Sequence, residues 1–240
     1  MIKKLLSLGL LLGLWGGLAS LLQNEIILPH PIIVFQKVGT LLGQPSFYIS
    51  IGATFLRAHI AFAISLGLGL ILAFLSFKCK TFEDIFLPWI KCLQSIPQIS
   101  FIILLLFWTS PQQSLIWVVF LMVFPIAYFN MLEALKAIAQ DYLDIIQISH
   151  QPWYYNLKKA YLPLSVSGLK ATIKSGLPIA LKVTVMAEVL IHSQSGIGRA
   201  LSMARANIDM VSVFAWTFVL IILISLETHG LTYFFQDRQK

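Results

Sequence analysis

Long stretches without a charged side chain dominate this sequence. Asp, Glu, Lys and Arg are absent from residues 5–24, 58–77, 92–132 and 210–226. A helix needs about 20 apolar residues to cross a bilayer core, and lipid offers no hydrogen-bond partner to an exposed backbone. The run 92–132 is long enough for two crossings, which the proline and polar side chains of residues 110–114 divide. The chain is therefore predicted to be an all-α integral membrane protein.

The composition supports a chain dissolved in lipid rather than in water. Hydrophobic residues make up 58% of the sequence and charged residues 11%, against roughly 45–50% and 25% in typical soluble domains. A 26.9 kDa chain of mean hydropathy +0.84 cannot bury so much apolar surface in one water-facing core. These values exclude a soluble enzyme, a nucleic-acid-binding protein and a disordered chain. The two cysteines, Cys79 and Cys92, imply no disulfide framework.

A further apolar stretch, residues 164–191, is interrupted by four charged side chains. Counting this stretch gives about six transmembrane helices in a single domain, 1–240. The predicted spans are 5–24, 58–77, 86–109, 115–132, 164–191 and 210–228. Pro97 and Pro125 are predicted to kink the helices that contain them.

The distribution of Lys and Arg predicts the orientation of the spans, because cytoplasmic loops carry the excess of positive charge. With the N-terminus inside, nine of these residues are cytoplasmic: Lys3, Lys4, Lys78, Lys80, Lys136, Lys158, Lys159, Arg238 and Lys240. Four lie in outer segments: Lys37, Arg57, Arg199 and Arg205. The asymmetry favours six crossings with both termini in the cytoplasm. The net charge of +7 is then mostly a topology signal.

The first apolar run has a second interpretation as a cleaved signal peptide. Lys3 and Lys4 followed by leucines are typical of such a segment, and Gly17-Leu18-Ala19 is a tolerable cleavage site. The run exceeds the usual hydrophobic length of about 7–15 residues, and the bulky Trp15 lies near its end. Both features favour a retained span.

One connection is much longer than the others, the predicted cytoplasmic loop 133–162. Its amphipathic segments, 143–148 and 153–162, are separated by Ser149-His150-Gln151-Pro152. This pattern predicts a helix, a turn and a second helix that begins on Pro152. A simple link between spans needs only a handful of residues, so the loop is predicted to be a docking surface. The alternative is an amphipathic pair that lies on the lipid headgroups.

In this loop the sequence resembles the inner-membrane permease subunits of bacterial ABC importers. It is more closely similar to the branch that handles nitrate, taurine, alkanesulfonates and aminopyrimidine precursors of thiamine. The family's loop carries Glu-Ala-Ala, then a glycine, then Leu-Pro. The matching positions here are Asp144-Ile145-Ile146, His150 and Leu162-Pro163. The acid and the Leu-Pro are kept, whereas both alanines and the glycine are replaced.

Further landmarks follow in family order over about residues 28–200, and their order and spacing strengthen the resemblance. The branch carries Leu-Pro-x-Pro, Ser/Thr-Leu-x-Arg, Ala-Trp-Lys-x4-Ala-Glu and Gly-Leu-Gly. The corresponding segments here are Leu28-Pro29-His30-Pro31, Thr54-Phe55-Leu56-Arg57, Ala180-Leu181-Lys182 with Ala187-Glu188, and Ser195-Gly196-Ile197-Gly198. Leu181 stands in place of the tryptophan.

The resemblance implies a type I ABC importer-like permease of the bacterial inner membrane, a homodimer that works by alternating access. ATP-binding cassette ATPase subunits would dock on the coupling loop 133–162, and an extracytoplasmic solute-binding protein would deliver a small polar or anionic nitrogen- or sulfur-containing solute. ATP and Mg would bind to the ATPase, and this chain would hold no cofactor. The implied ATPase-docking residues are Asp144, Ile145, Ile146, Ser149, His150, Leu162 and Pro163.

Ionisable side chains inside a span are costly and usually face a cavity or a partner. Lys182 lies near mid-span and about 120° from Glu188 on a helical wheel, which argues against an ion pair between them. Whether Lys182 lines the translocation pathway or makes a structural contact at a gate stays open. Arg57 and Glu188 are further candidates for the pathway, although their position near the outer ends favours interface anchors. Lys170 and Lys174 lie nearer the inner end, where long side chains reach the headgroups.

Catalysis has little support in the sequence. The five histidines show no paired metal-ligand spacing, and no glycine-rich phosphate loop precedes a Lys-Ser/Thr. Three alternatives to the importer permease are a coupling subunit of vitamin importers, a passive channel and an integral-membrane enzyme. The first would carry Ala-Arg-Gly triplets, the second would not need the docking loop, and the third would need clustered acids or histidines. A transport subunit without catalytic or metal-binding residues is therefore favoured.

Overall fold

The computed structural model describes residues 2–148 and 151–236, which form helices and no β-strand. The all-α prediction is confirmed. The helices are α1 (Ile2–Leu22), α2 (Pro31–Leu42), α3 (Pro45–Lys78), α4 (Lys80–Ser95), α5 (Gln98–Trp108), α6 (Pro111–Lys136), α7 (Gln140–Ile148), α8 (Trp153–Asn156), α9 (Leu162–Leu164), α10 (Val166–Ile191), α11 (Ile197–Ala206) and α12 (Met210–Gln236). A π-helical turn, Leu157–Tyr161, joins α8 to α9.

The long helices α3, α6 and α10 form the centre of the bundle. Phe62 of α3, Val119 of α6 and Leu181 of α10 belong to one buried apolar cluster. A second cluster lies toward the predicted cytoplasmic side and includes Tyr128 and Tyr161. A third packs α12 against α2 and the start of α3. Apolar packing between helices therefore fixes the frame in which the charged side chains lie.

Three helices among the described residues are long and apolar enough to cross a membrane: Pro45–Lys78, Pro111–Lys136 and Met210–Leu231. The pair α4 and α5 would be a fourth, broken span. The remaining predicted spans, 5–24 and 164–191, coincide with α1 and with α10, which carries four charged side chains. The count of six crossings therefore stays a prediction.

Helix α3 begins at Pro45, well before residue 58, where the second span was predicted to start. The prediction ended the apolar run at Arg57 because a charge is costly in lipid. The helix continues through Arg57 because a buried carboxylate pairs with its side chain. Pro45 suits the first helical position, where its missing N–H leaves no hydrogen bond unmade.

The predicted span 86–109 is not one kinked helix. Helix α4 ends at Ser95, α5 begins at Gln98, and their axes differ by 99°. Pro97 clashes with a helical conformation of the residue before it, and Ile96 is accordingly extended, with φ −78° and ψ 127°. Pro125, in contrast, lies inside the unbroken helix α6.

The coupling loop contains the predicted pair of helices. Helix α7 ends at Ile148, and α8 begins directly after Pro152, which confirms the predicted start of the second helix. Ser149 and His150 lie outside the described residues. Helix α10 begins at Val166, because Ser165 turns the chain between α9 and α10.

The first and last long helices are attached to the bundle by polar and aromatic contacts. Trp15 donates from Nε1 to the carbonyl of Pro29 (3.0 Å) and stacks on Phe214, with ring centroids 5.7 Å apart. His59 Nε2 lies 3.1 Å from Glu227 Oε1, which joins α12 to α3. A retained first span would make these Trp15 contacts, whereas a cleaved signal peptide would not.

Candidate functional site

Glu188 of α10 is fully buried and lies at the centre of a polar cluster. The Thr54 hydroxyl donates to its carboxylate, 2.9 Å from Oε2, and the Gly198 backbone N–H donates to the same oxygen at 2.9 Å. Arg57 Nη1 lies 2.6 Å from Oε1. Because a buried carboxylate without partners is strongly disfavoured, these contacts are what allow Glu188 to occupy this position.

Arg57 extends the cluster from Glu188 to the loop between α10 and α11. Its Nη1 also donates to the Ser195 carbonyl, and its Nη2 donates to Ser195 Oγ, both at 2.8 Å. The Thr54 hydroxyl that donates to Glu188 accepts the Ile197 backbone N–H at 2.9 Å. We call Thr54, Arg57, Glu188 and Ser195, with the backbone of residues 196–198, the outer cluster.

Both glycines of Ser195-Gly196-Ile197-Gly198 are required by the approach of this loop to Glu188. Gly196 has φ +120° and ψ 170°, a conformation open essentially to glycine. A Cβ at Gly196 would lie 2.4 Å from either carboxylate oxygen, and a Cβ at Gly198 would lie 2.4 Å from the Glu188 Cβ. The backbone of this motif therefore packs directly against the buried carboxylate of Glu188.

The outer cluster joins α3 to the end of α10 and to the loop that follows it, and Arg57 and Glu188 are 131 positions apart in sequence. Arg57 and Glu188, for which interface anchoring was favoured, are charge partners of each other, and Glu188 is fully buried. The predicted absence of a Lys182–Glu188 pair agrees with the partners that Glu188 has. Whether Arg57 and Glu188 act on the translocated solute stays a prediction.

Lys182 lies on a different face of α10 from Glu188 and is exposed. Its side chain forms no hydrogen bond or ion pair with the part of the chain that the structure describes. Lys174 and Ser175 are exposed on the same side of the helix, and Asn130 of α6 donates to Ser175 Oγ at 3.3 Å. We call Lys174, Ser175 and Lys182, together with the adjoining Asn130 of α6, the polar face of α10.

The predicted docking residues of α7 do not share one face. Ile145 and Ile148 are 63% and 72% exposed, whereas Ile146 is only 9% exposed and packs into the second apolar cluster. Successive helical residues are rotated by about 100°, so three nearby isoleucines cannot all point to one partner. Asp144 is exposed and accepts a hydrogen bond from Gln140 Nε2 at 2.8 Å.

The end of the coupling loop is attached to the inner end of α3 by an aromatic contact. Tyr161 is buried, and the Lys78 Nζ lies 4.1 Å from its ring centroid and donates to its hydroxyl. Phe74 and Phe77 pack edge-on against the same ring. Tyr161 closes the π-helical turn, an element often found at functional positions. We call Lys78, Tyr161 and the two phenylalanines the inner joint. Leu162 and Pro163, which directly follow it, are exposed.

Every member of the outer cluster belongs to one of three family motifs, but the motifs do not indicate that these residues meet. No spacing rule links Thr54 and Arg57 to Glu188, more than a hundred positions further along the chain. No sequence pattern predicts the inner joint, because the positive charge of Lys78 indicates only the orientation of the spans. No group of three or more His, Cys, Asp or Glu within the described residues is arranged to hold a metal ion.

Residues 65–239 match the family model described as the inner membrane component of binding-protein-dependent transport systems. The chain is 24% identical over 217 residues to the putative aliphatic sulfonates transport permease protein of Bacillus subtilis, covering 89% of this chain and 78% of that protein. It is 24% identical over 236 residues to a probable ABC transporter permease protein of Brucella melitensis, covering 98% and 91%. It is 27% identical over 221 residues to the formylaminopyrimidine transport permease protein of Halalkalibacterium halodurans, covering 89% and 85%.

Proposed function

Because the chain belongs to the family of inner-membrane components of binding-protein-dependent transport systems, we propose that it forms the solute pathway of an ATP-driven importer along the polar face of α10. As a permease subunit it changes no covalent bond in its solute. The solute is a small polar or anionic compound containing nitrogen or sulfur, taken up across the inner membrane. The observation that carries this proposal is the exposed Lys182 near the middle of α10.

The position of Lys182 makes direct contact with lipid unfavourable. It lies about 24 Å along the helix axis from Val166, within a helix of 26 residues. A charged side chain at the centre of a span costs about 2.5–3.5 kcal/mol on insertion scales and therefore faces water, a partner or a cavity. Asn130, Ser175 and Lys174 give the same surface a polar character.

A second copy of the chain would cover the polar face of α10 and shield it from lipid. Two protomers that meet with the polar faces of α10 toward each other would enclose a polar route between them. Lys182 would then supply a cation along the route, which suits an anion such as a sulfonate or nitrate. Two of the similar proteins are named as permeases for aliphatic sulfonates and for formylaminopyrimidine.

ATP hydrolysis would act on this pathway through the coupling loop. Asp144, Ile145 and Ile148 are exposed on α7, where a separate ATPase subunit can reach them. Movement of α7 would pass to α3 through the inner joint and to α10 through the chain that follows Tyr161. The permease would alternate between inward- and outward-facing states, and the ATPase would shift the equilibrium between them.

Replacing Lys182 with methionine is expected to reduce uptake at least about tenfold, because the pathway loses its cation while the length of the side chain is kept. The measurement is uptake of radiolabelled taurine, alkanesulfonate and nitrate by cells that express the complete transporter. Lys182→Arg, which keeps the charge, is expected to retain more uptake than Lys182→Met.

Lys91→Met is the matched control, since it removes an exposed lysine of α4 that lies outside the polar face of α10. It is expected to leave uptake within about twofold of the wild type, because Lys91 is not part of the proposed pathway. Uptake of all three solutes by Lys182→Met at the wild-type rate would exclude Lys182 from the pathway.

A further inference from the structure

A cavity of about 210 Å³ opens at the predicted outer side, between the end of α10 and helix α11. Two arginines, one histidine and two serines line it together with Met203 and Ala206, and none of the lining residues is acidic. The polar lining residues are His192, Ser193, Arg199, Ser202 and Arg205. None of the lining residues belongs to the outer cluster, whose arginine is already paired with Glu188.

The four cations assigned to the outer segments fall into two classes. Lys37 lies 3.6 Å from Asp209, and Arg57 lies 2.6 Å from Glu188, so each has a carboxylate within the chain. Arg199 donates from Nη1 only to the Ser193 carbonyl, at 3.2 Å. Arg205 makes no hydrogen bond or ion pair with the described residues. Among the described residues no carboxylate pairs with Arg199 or Arg205, and both arginines line the cavity.

Hydrogen bonds to the backbone position the residues that line this cavity. His192 adopts the left-handed conformation, φ 53° and ψ 53°, and ends α10 with its N–H bonded to the Glu188 carbonyl. Ser202 Oγ donates to the Val189 carbonyl at 3.2 Å, which fastens α11 against α10. One N–H of Arg199 is committed to the loop backbone, which orients the guanidinium and leaves its other donors available.

We propose that this cavity binds a small oxyanion, the sulfonate or carboxylate group of a solute, at the outer face. A guanidinium matches two oxygens of such a group with parallel N–H donors, and two guanidiniums supply both the charge and the geometry. A cationic concavity without carboxylates also concentrates anions from solution. This inference rests on the proposed function in one respect, that the solute is anionic.

The test is a calorimetric titration of ethanesulfonate into the full-length chain in lipid nanodiscs. Chloride salt is adjusted so that the ionic strength stays constant. The wild type is expected to bind ethanesulfonate. Arg199→Gln and Arg205→Gln are each expected to raise the Kd at least about tenfold, since each removes charge-assisted hydrogen bonds. Arg199→Lys keeps the charge but loses the planar pair of N–H donors. Its Kd is expected to lie between those of Arg199→Gln and the wild type.

Lys37→Gln is the matched control, because it removes an outer cation that does not line the cavity. Its Kd is expected to equal that of the wild type. Equal Kd values for all variants, or no binding of ethanesulfonate to the wild type, would overturn the proposal. If the two glutamine variants instead lose association with an extracytoplasmic protein, the cavity accepts an acidic side chain of that partner, and the proposal of a solute site is wrong.

The titration needs neither an ATPase nor uptake. Its failure is therefore distinguishable from failure of the proposed function, which the Lys182→Met uptake measurement reports.

Discussion

Glu188→Ala is expected to destabilise the chain by about 3–5 kcal/mol, because removing one member of a buried ion pair leaves the other charge unpaired. The substitution removes the acceptor of the Thr54 hydroxyl, the Arg57 guanidinium and the Gly198 N–H at once. The loop that enters α11 loses its attachment to α3 as a result. The free energy of unfolding in mixed micelles is the quantity to measure.

Arg57→Met is expected to have an effect of similar size. The double variant Arg57→Met/Glu188→Met is expected to lose less free energy of unfolding than the sum of the two single-variant losses. The reason is that no unpaired charge remains buried. Glu25→Ala is the matched control, since Glu25 is an exposed glutamate on the predicted outer side. A Glu188→Ala variant as stable as Glu25→Ala would show that the outer cluster contributes nothing to the fold.

Tyr161→Ala is expected to uncouple ATP hydrolysis from uptake. Tyr161 connects the coupling loop to α3 through its contacts with Lys78, Phe74 and Phe77. Truncation removes a buried ring and a partly desolvated cation–π contact of about 1–2 kcal/mol. Movement of the loop would then no longer reach α3, so uptake should fall at least about tenfold while the complex still hydrolyses ATP. Both rates are measured on the same proteoliposomes.

Two matched variants separate this effect from general damage. Tyr161→Phe keeps the ring under the Lys78 ammonium and loses only the hydroxyl, so it is expected to retain most uptake. Tyr155→Ala removes a partly exposed tyrosine from the same segment and is expected to leave coupling intact. If Tyr161→Ala retains full uptake per ATP hydrolysed, the inner joint does not transmit movement.

The sequence predicted the membrane class and the absence of a Lys182–Glu188 pair, because both depend on local sequence. Apolar runs of helical length indicate spans whatever their neighbours are, and the wheel positions of Lys182 and Glu188 in α10 separate the two side chains by about 120°. The break between Ile96 and Gln98 was located at the correct proline. Its size, a 99° bend, depends on how α4 and α5 pack and was not visible.

The predictions that differ from the structure concern residues whose burial or charge is compensated by a partner distant in sequence. The charge of Arg57 predicts that the second span begins only at residue 58, but Glu188, from another helix, offsets the cost of that charge, and α3 includes Arg57. Ile146 was grouped with its neighbours as a docking residue, yet the bundle covers it and leaves Ile145 outside. Tertiary contacts decide both cases, and a single sequence contains no direct record of them.

The most direct test of the whole account is whether an ATPase subunit co-purifies with the tagged chain in mild detergent, and whether α7 controls that association. We expect the ATPase to accompany the wild type and to be lost from a variant carrying Asp144→Lys and Ile145→Asp. Tyr155→Ala, which removes an exposed side chain of α8 that is not a predicted docking residue, is the control and is expected to retain the ATPase. Retention of the ATPase by the α7 variant, or a wild-type chain that purifies alone under conditions preserving other transporters, would contradict the account.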